Sequence, residues 1–306
     1  MKNLTAPSVA QAIVAAHQTA FRDFPPQPTP APALSTEQLQ DAIYAGALAA
    51  CSQLGFIAID ADCVARAWAA QSQRTGNFDA TVWPSDPMDF DLRPNGGPGA
   101  FSACPQQLGL YAVLPTAAWV GRMARAGVPT VQLRFKSGDA AAVEHEIKAA
   151  VEAVQGTSAL LFINDHWRQA IAAGSYGVHL GQEDLDALSP ADMAELRASG
   201  VRLGVSTHGY AEMVRASHAQ PSYIAMGAIY PTTLKKMATV PQGVARLMHY
   251  AELTRSYPQV AIGGIGADQF AEVLKSGVGS IAVVRALVNA EQPEQTAQQL
   301  MALMRP

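Results

Sequence analysis

Two short apolar runs in this chain end in acidic side chains. The run at residues 160–163 leads into Asn164 and Asp165, and the run at 176–180 leads to Asp184. Short apolar runs predict buried strands, and α/β enzymes place their chemistry just past the carboxyl ends of such strands. Asp165 and Asp184 could therefore converge from neighbouring strand ends and bind a hard divalent cation. The alternative is that each acidic group is an ordinary turn or helix cap.

A third run carries cations in alternation. Residues 131–136 read Val-Gln-Leu-Arg-Phe-Lys, and the alternation of side chains across a strand puts Gln132, Arg134 and Lys136 on one face. On a half-exposed strand that face would lie in water. In a closed barrel the outer face meets helices, so the polar set points inward and its two cations require an anionic partner. A phosphate group would supply one, with Arg134 in bidentate contact and Lys136 as a point charge.

Later segments add hydroxyl and ammonium groups. Ser206 lies near the end of another predicted strand, where its hydroxyl could donate to a phosphate oxygen. The segment 230–236 reads Tyr-Pro-Thr-Thr-Leu-Lys-Lys and contains Thr232, Thr233 and Lys235. It is either a solvated lysine loop or a phosphate-binding flap, and the other cationic positions favour the flap.

Glycine marks a second candidate anion site. The seventh predicted strand ends in Gly263 and Gly264, and the eighth ends in Val284 and Arg285. Many barrels hold a phosphate between these two loops, on backbone N–H groups that glycine leaves accessible.

The two anion sites and the carboxylate pair together indicate one chemistry. Carboxylates beside a multi-cationic phosphate site suggest Mg²⁺-pyrophosphate, because the metal neutralises part of the phosphate charge. The pattern suits a substrate whose pyrophosphate leaves, plus a phosphorylated acceptor. Of the histidines nearby, His208 at a strand end is ambiguous between catalysis and structure, whereas His179 lies within a strand and is interpreted as structural.

The last two thirds of the chain must position these groups, and strands alternate there with helical stretches. Eight such units in roughly 200 residues predict an α/β fold, the closed (β/α)8 TIM barrel. A doubly wound open sheet is the alternative, but the first strand lacks the GxGxxG turn typical of that fold. The predicted strands are 108–114, 128–136, 160–164, 176–180, 202–206, 223–229, 259–262 and 280–284.

Residues 1–104 are predicted to form a mostly helical N-terminal extension, followed by the barrel domain at 105–306. A proline-rich linker at 25–34 separates a first helix, at 6–24, from the later ones. Further helices are predicted at 35–54 and 61–74, and a loop at 76–99. Since the extension holds no chemical motif, its function is unknown and a helical appendage is the simplest interpretation.

Composition excludes several classes of protein. The 306 residues are 49% hydrophobic and 15% charged, with a net charge of −4, which argues against a nucleic-acid binder. Neither a bilayer-spanning run nor a secretory signal is present, which predicts no membrane partner. The three cysteines lack metal-ligand spacing and fit reduced thiols in a cytoplasmic protein. Homo-oligomerisation stays open.

Residues from about 109 to 306 resemble thiamine-phosphate synthase, also called thiamine phosphate pyrophosphorylase. Six motifs occur in the family's order over roughly two thirds of the chain, which makes the resemblance more specific than any one of them. The motifs are Gln132-Leu-Arg-Phe-Lys136, Ile163-Asn-Asp165, Gly177-Val-His-Leu-Gly-Gln-Glu-Asp184, Gly204-Val-Ser206-Thr-His208, Pro231-Thr-Thr-Leu-Lys235 and Ala261-Ile-Gly-Gly-Ile265.

The resemblance implies a Mg²⁺-dependent transferase. It would join 4-amino-2-methyl-5-hydroxymethylpyrimidine diphosphate to 4-methyl-5-(2-hydroxyethyl)thiazole phosphate, giving thiamine phosphate and pyrophosphate through a pyrimidine carbocation. It further implies that Asp165 and Asp184 hold the metal and that catalysis uses Arg134, Lys136, Ser206 and Lys235. The implied substrate contacts are Gln132, Arg134, Lys136, Asn164, Ser206, Thr232, Thr233, Lys235, Gly264, Val284 and Arg285.

Two positions depart from the family pattern, and two other functions compete. Leu234 stands where the family's loop has a second threonine, for which Thr233 is the substitute, and Arg285 stands where a serine is common. A thiazole tautomerase-like isomerase on the same barrel is one rival, although it need not keep the pyrophosphate and metal positions. A non-catalytic sensor of phosphorylated thiamine precursors, with the extension as output module, is the other.

Overall fold

The computed structural model describes residues 4–30, 41–232 and 239–305, and the chain divides into two units. One unit holds the first 93 residues together with Gly209–His218. The other holds Pro94–His208 and the residues from Ala219 onward. The predicted domain division at residues 104 and 105 stays a proposal, to which this grouping adds one fact: residues 209–218 cluster with the N-terminal region.

The second unit is built on a closed barrel of parallel strands. Its strands pair in chain order, and the last pairs with the first, with Gly109 beside Ser280. The predicted (β/α)8 barrel is thereby confirmed. Among the described residues the strands are β1 (Gly109–Leu114), β2 (Thr130–Leu133), β3 (Leu160–Asn164), β4 (Gly177–Leu180), β5 (Arg202–Thr207), β6 (Tyr223–Met226), β7 (Gln259–Ile262) and β8 (Ser280–Val283).

Helices follow or precede these strands along the chain. None of those in the described ranges is long and apolar enough to cross a membrane. In the same ranges they are α1 (Ala6–His17), α2 (Ala42–Gln53), α3 (Ala58–Thr75), α4 (Ala117–Arg125), α5 (Ala140–Ala153), α6 (Trp167–Ala172), α7 (Gln182–Ala187), α8 (Pro190–Ala198), α9 (Tyr210–Ala219), α10 (Gly243–Leu253), α11 (Phe270–Leu274), α12 (Arg285–Val288) and α13 (Pro293–Leu303), with 3-10 turns at Pro87–Phe90 and Ala267–Gln269.

Large and small side chains alternate inside the barrel. Phe162 on β3 and Tyr223 on β6 are fully buried in the interior cluster. A Cβ atom on Gly177 would lie 2.4 Å from the Phe162 ring, and one on Gly204 would lie 2.1 Å from the Tyr223 ring. Because the side chains of a strand alternate between interior and exterior, each glycine leaves the space that a ring from the adjacent strand fills.

Strand β2 ends earlier than predicted. The sequence predicted a strand up to Lys136, but regular pairing ends at Leu133. The N–H of Arg134 still donates to the carbonyl of Leu114 at 2.8 Å, so the chain leaves the ladder only after Arg134. The cations thus lie at the carboxyl end of the barrel rather than within the strand.

The first unit is an arrangement of helices around aromatic side chains. The Asp41 carboxylate caps α2 by accepting from the N–H of Ile43 at 2.8 Å. Gly55, just past the end of this helix, has φ +84°, the left-handed conformation that glycine commonly adopts at helix ends. Helix α1 ends at His17 instead of residue 24. The predicted helix start at residue 35 and linker residues 31–34 lie outside the described residues.

Most of α9 packs with these N-terminal helices. Tyr210 is fully buried; the indole N–H of Trp83 donates to its hydroxyl at 2.9 Å, and the ring of Phe90 stacks on it with centroids 5.3 Å apart. The Asp60 carboxylate accepts from the N–H of Ala211 at 3.0 Å, which places a negative charge at the amino end of α9, where it is stabilising.

Removing residues 1–93 should therefore destabilise the protein. Tyr210 is fully buried and contacts Phe56, Trp83 and Phe90 of the deleted segment, and exposing such a side chain costs about 1.5–3 kcal/mol. That is a large part of the roughly 5–15 kcal/mol that stabilises a folded protein. Thermal unfolding of the truncated chain should show a lower midpoint and increased binding of a hydrophobic dye. A truncated chain that melts like the full-length protein would refute this role for the extension.

Candidate active site

A cavity of about 720 Å³ opens at the carboxyl ends of the strands. It is bounded by residues from all eight strands or the loops that follow them. Thr233 and Lys235 lie outside the described residues. Every other predicted site residue lines the cavity: Gln132, Arg134, Lys136, Asn164, Asp165, Asp184, Ser206, Thr232, Gly264, Val284 and Arg285.

The two acidic residues reach the cavity from adjacent strand ends. Asp165 follows β3 with φ +65°, a left-handed conformation that is uncommon outside glycine and costs of order 1–3 kcal/mol. Its N–H donates to the carbonyl of His179 at 3.0 Å, which holds the turn in place. Asp184 lies in the first turn of α7 and accepts from the N–H of Gly181 at 3.0 Å. Asp184 therefore caps the helix, as one interpretation predicted, and also lies at the cavity, as the metal-site interpretation predicted.

The electrostatics of Asp184 suit a cation. Burial raises the pKa of its carboxyl group; the Gly181 N–H opposes this, the Asp165 carboxylate adds to the increase, and the ammonium group of Lys136 opposes it. A carboxylate whose pKa is raised by burial and by a neighbouring carboxylate is stabilised when a divalent cation binds beside it.

The number of carboxylates suits Mg²⁺ in particular. Within the described ranges no cluster of three or more His, Cys, Asp or Glu side chains could hold a metal. Mg²⁺ commonly takes only one or two protein carboxylates and keeps water and substrate phosphate oxygens as its remaining ligands. Asp165 and Asp184 therefore fit a Mg²⁺ site that substrate completes.

Lys136 forms an ion pair with one of these carboxylates. Its ammonium nitrogen lies 2.5 Å from Oδ2 of Asp165, and the two side chains are 55% and 25% exposed. An ion pair this exposed contributes about 0–1 kcal/mol. A metal ion for the carboxylate and a phosphate for the ammonium group could therefore replace the pair at little energetic cost.

A chain of hydrogen bonds crosses the barrel interior beneath the cavity. The Gln132 amide donates to Asn164 at 2.9 Å and accepts from the Tyr111 hydroxyl at 2.9 Å. The hydroxyls of Tyr111 and Tyr223 lie 2.7 Å apart. This chain links two predicted substrate contacts to buried tyrosines.

His179, on the strand that pairs with the strand of Asn164, continues the hydrogen-bonded chain from Tyr223 to Ser206. Its Nδ1 lies 2.7 Å from the Tyr223 hydroxyl, and its Nε2 lies 2.7 Å from Oγ of Ser206. Sequence reasoning missed Tyr111 and Tyr223 and interpreted His179 as structural. The signal was available: Gly204 stands two residues before Ser206 and leaves space for an inward-pointing ring.

The glycine turn after β7 is constrained by close backbone contacts. Gly263 and Gly264 have φ +102° and +70°. A Cβ on Gly264 would lie 2.6 Å from the carbonyl oxygen of Pro231 and 2.7 Å from that of Tyr230. The turn thus directly abuts the start of the loop that contains Thr232.

The barrel residues match a known family. The model of the family described as thiamine monophosphate synthase matches residues 110–287, which is more than half of the chain. This chain belongs to the thiamine monophosphate synthase family. The match contains all described members of the cavity that the sequence predicted, whereas the residues before 110 lie outside it.

Relatives in the family agree over nearly their whole length. A thiamine-phosphate synthase of Neisseria gonorrhoeae (strain ATCC 700825 / FA 1090) is 53% identical over 196 residues, which are 64% of this chain and 94% of the relative. A thiamine-phosphate synthase of Yersinia pestis (strain Pestoides F) is 47% identical over 204 residues, 67% of this chain and 94% of the relative. The aligned region is therefore close to a complete family member.

A solved structure supports the same barrel. Thiamine phosphate pyrophosphorylase from Pyrococcus furiosus superposes with a TM-score of 0.57 at 28% identity, covering 64% of this chain and 95% of that one. The family model and the two relatives confirm the family resemblance inferred from the motifs.

The space around Gly264 provides a stability test. Gly264→Ala should destabilise the protein by about 2–5 kcal/mol, because it adds a clash with two carbonyl oxygens to the strain of a positive φ. Gly277→Ala is the matched control: its φ is +88° but nothing lies within 4 Å of the added Cβ, so it should cost only about 1–2 kcal/mol. Urea unfolding measures both, and equal losses would show that the turn has no close packing.

Proposed function

We propose that this chain is a thiamine-phosphate synthase. It joins 4-amino-2-methyl-5-hydroxymethylpyrimidine diphosphate to 4-methyl-5-(2-hydroxyethyl)thiazole phosphate and releases pyrophosphate. Membership of the family and near-complete coverage of two relatives with that name support the proposal. The observation that carries it is the convergence of Arg134, Lys136 and an aspartate pair on one cavity.

In this proposal the cavity's cations hold the diphosphate. Arg134 binds its oxygens in a fork, Lys136 contributes a point charge, and Ser206 donates from its hydroxyl. Lys235, which lies outside the described residues, is assigned to the same group. Mg²⁺, when bound by Asp165 and Asp184, supplies further positive charge to the departing pyrophosphate.

The reaction needs no protein nucleophile. The aminopyrimidine pushes electrons toward its methylene carbon while the C–O bond to the diphosphate breaks, so the protein stabilises a leaving anion and orients the acceptor. Gln132 and Asn164 hold the pyrimidine diphosphate. Thr232, Gly264, Val284 and Arg285, which line the cavity, are assigned to the thiazole phosphate together with Thr233.

The proposal extends to the setting of the enzyme. Cys51, Cys63 and Cys104 are free thiols, which supports a cytoplasmic location. The partners are the two small-molecule substrates, and self-association into a homo-oligomer is compatible with every residue assigned above.

The pyrophosphate site is tested by removing its cations. Arg134→Ala or Lys235→Ala should lower turnover more than tenfold, a loss of at least ~1.4 kcal/mol of transition-state stabilisation. Pyrophosphate release, measured with both substrates and Mg²⁺, provides the assay and separates a synthase from an isomerase or a sensor. Arg255→Ala is the control, because Arg255 is an exposed arginine that pairs with Glu252. Turnover close to the parent's in both site variants would overturn the assignment.

The metal site is tested by one carboxylate. Asp184→Asn should raise the Mg²⁺ concentration that gives half-maximal activity, because a charged ligand becomes neutral while an acceptor for the Gly181 N–H remains. Glu183→Gln removes the same charge from the neighbouring residue, which also lines the cavity, and should leave that concentration unchanged. An unchanged titration for Asp184→Asn, or equal shifts in both variants, would contradict a ligand role.

A further inference from the structure

Six polar side chains form one continuous hydrogen-bonded chain between two residues that line the cavity. In order they are Asn164, Gln132, Tyr111, Tyr223, His179 and Ser206, with successive distances of 2.9, 2.9, 2.7, 2.7 and 2.7 Å. Asn164 and Ser206 at its ends line the cavity, whereas both tyrosines are buried beneath it.

The three central groups of this hydrogen-bonded chain, Tyr111, Tyr223 and His179, each have one hydrogen to donate. Burial raises the pKa of the Tyr111 and Tyr223 hydroxyls far above that of a free phenol, so each keeps its single O–H. A neutral imidazole likewise carries one N–H and one acceptor nitrogen. Each of these three groups can therefore donate to one neighbour in the chain and must accept from the other.

The chain consequently has two possible directions. In the direction present here, Tyr111 donates to Gln132, which donates to Asn164. Because Tyr111 donates its one proton to Gln132, it must accept from Tyr223. For the same reason Tyr223 accepts from Nδ1 of His179, and Nε2 accepts from Ser206. In this direction the serine hydroxyl points its proton inward, and the Asn164 amide can present its NH₂ group to the cavity.

A phosphate oxygen at Ser206 requires the opposite direction. A phosphate accepts hydrogen bonds, so the serine must turn its proton outward and accept from Nε2–H of His179. Nδ1 then accepts from Tyr223, Tyr223 from Tyr111, and Tyr111 from the NH₂ group of Gln132. The carbonyl oxygen of Gln132 accepts from Asn164, which now presents its own carbonyl oxygen to the cavity.

We propose that this hydrogen-bonded chain couples the two ends of the site. Binding of the diphosphate at Ser206 then sets which group Asn164 presents to the pyrimidine ring. The inference rests on the proposed function, and it deepens it by naming a specificity device. A ligand with a phosphate at one end and a hydrogen-bond donor, such as a ring amino group, at the other satisfies one direction of the chain throughout. Tyr111, Tyr223 and His179 are positioning residues in this device, because they act through Asn164 and Ser206.

The tautomer of His179 gives a direct readout that does not depend on activity. In protein labelled with ¹⁵N at histidine, Nδ1 should carry the proton without ligand. With saturating inorganic pyrophosphate and Mg²⁺ the proton should move to Nε2, and the shift should be absent in Ser206→Ala. The same tautomer with and without pyrophosphate would overturn the proposal. So would an imidazolium in both states, since it donates from both nitrogens and leaves the two ends independent.

Mutant cycles test the coupling itself. In the parent, the losses of kcat/KM caused by Asn164→Ala and Ser206→Ala should fail to multiply, with the double variant departing by at least about five-fold from their product. In a Tyr223→Phe background, where the chain is cut, they should multiply to within about two-fold. Losses that multiply in the parent, or an equal departure in both backgrounds, would overturn the inference.

A matched control distinguishes the effect of cutting the hydrogen-bonded chain from the general effect of removing a buried hydroxyl. Tyr257 is also fully buried, and its hydroxyl accepts from Gln220 at 3.2 Å, away from the chain. Tyr257→Phe should leave the five-fold departure intact, and thermal unfolding of every variant checks folding. Synthesis of thiamine phosphate by the parent tests the proposed function separately, so a parent that is active but shows multiplying losses would refute only the coupling.

Discussion

Closure of the parallel barrel is the constraint on which the rest of the structure depends. Once β8 pairs with β1, each strand has one face toward helices and one toward an interior too narrow for water-filled space. Interior side chains must then interlock by size, as Gly204 and Tyr223 do. Polar groups there must find partners, because an unsatisfied buried donor or acceptor costs about 1–3 kcal/mol. The hydrogen-bonded chain from Gln132 to Ser206 is the consequence. The same groups that satisfy the interior also reach the cavity at its mouth.

The side chains at the mouth of the barrel are charged and only partly buried. Lys136 and Asp165 pair in a partly exposed position, where the attraction is weak enough for ligands to replace it. Burial together with Asp165 raises the pKa of the Asp184 carboxyl group. One weak ion pair and one carboxylate with a raised pKa fit the proposed site, which would gain stability when a metal ion and a phosphate bind together. That property suits an enzyme whose leaving group is pyrophosphate.

The N-terminal extension packs with a helix that belongs to the barrel's part of the sequence. Helix α9 follows β5 in the alternation of strands and helices, yet Tyr210 packs among aromatic side chains of the first 93 residues and Asp60 caps the helix. A segment inside the family's matched region thus shares a folding unit with a segment outside it. The stabilising role predicted for the extension follows from this shared packing.

The sequence by itself determined the barrel and the candidate site residues, because both depend on local order. Alternation along residues 131–136 placed Gln132 with the cations, and the position of Asp165 after an apolar run placed it at a strand end. The ends of β2 and α1 were misplaced because hydrogen-bond ladders and helix ends depend on neighbours that periodicity does not show. Only the tertiary structure decided which distant groups meet: Tyr111 with Tyr223, His179 with Ser206, and Tyr210 with Trp83. These contacts join residues at least 27 positions apart, and a local sequence pattern does not show which residues so far apart in the chain come into contact.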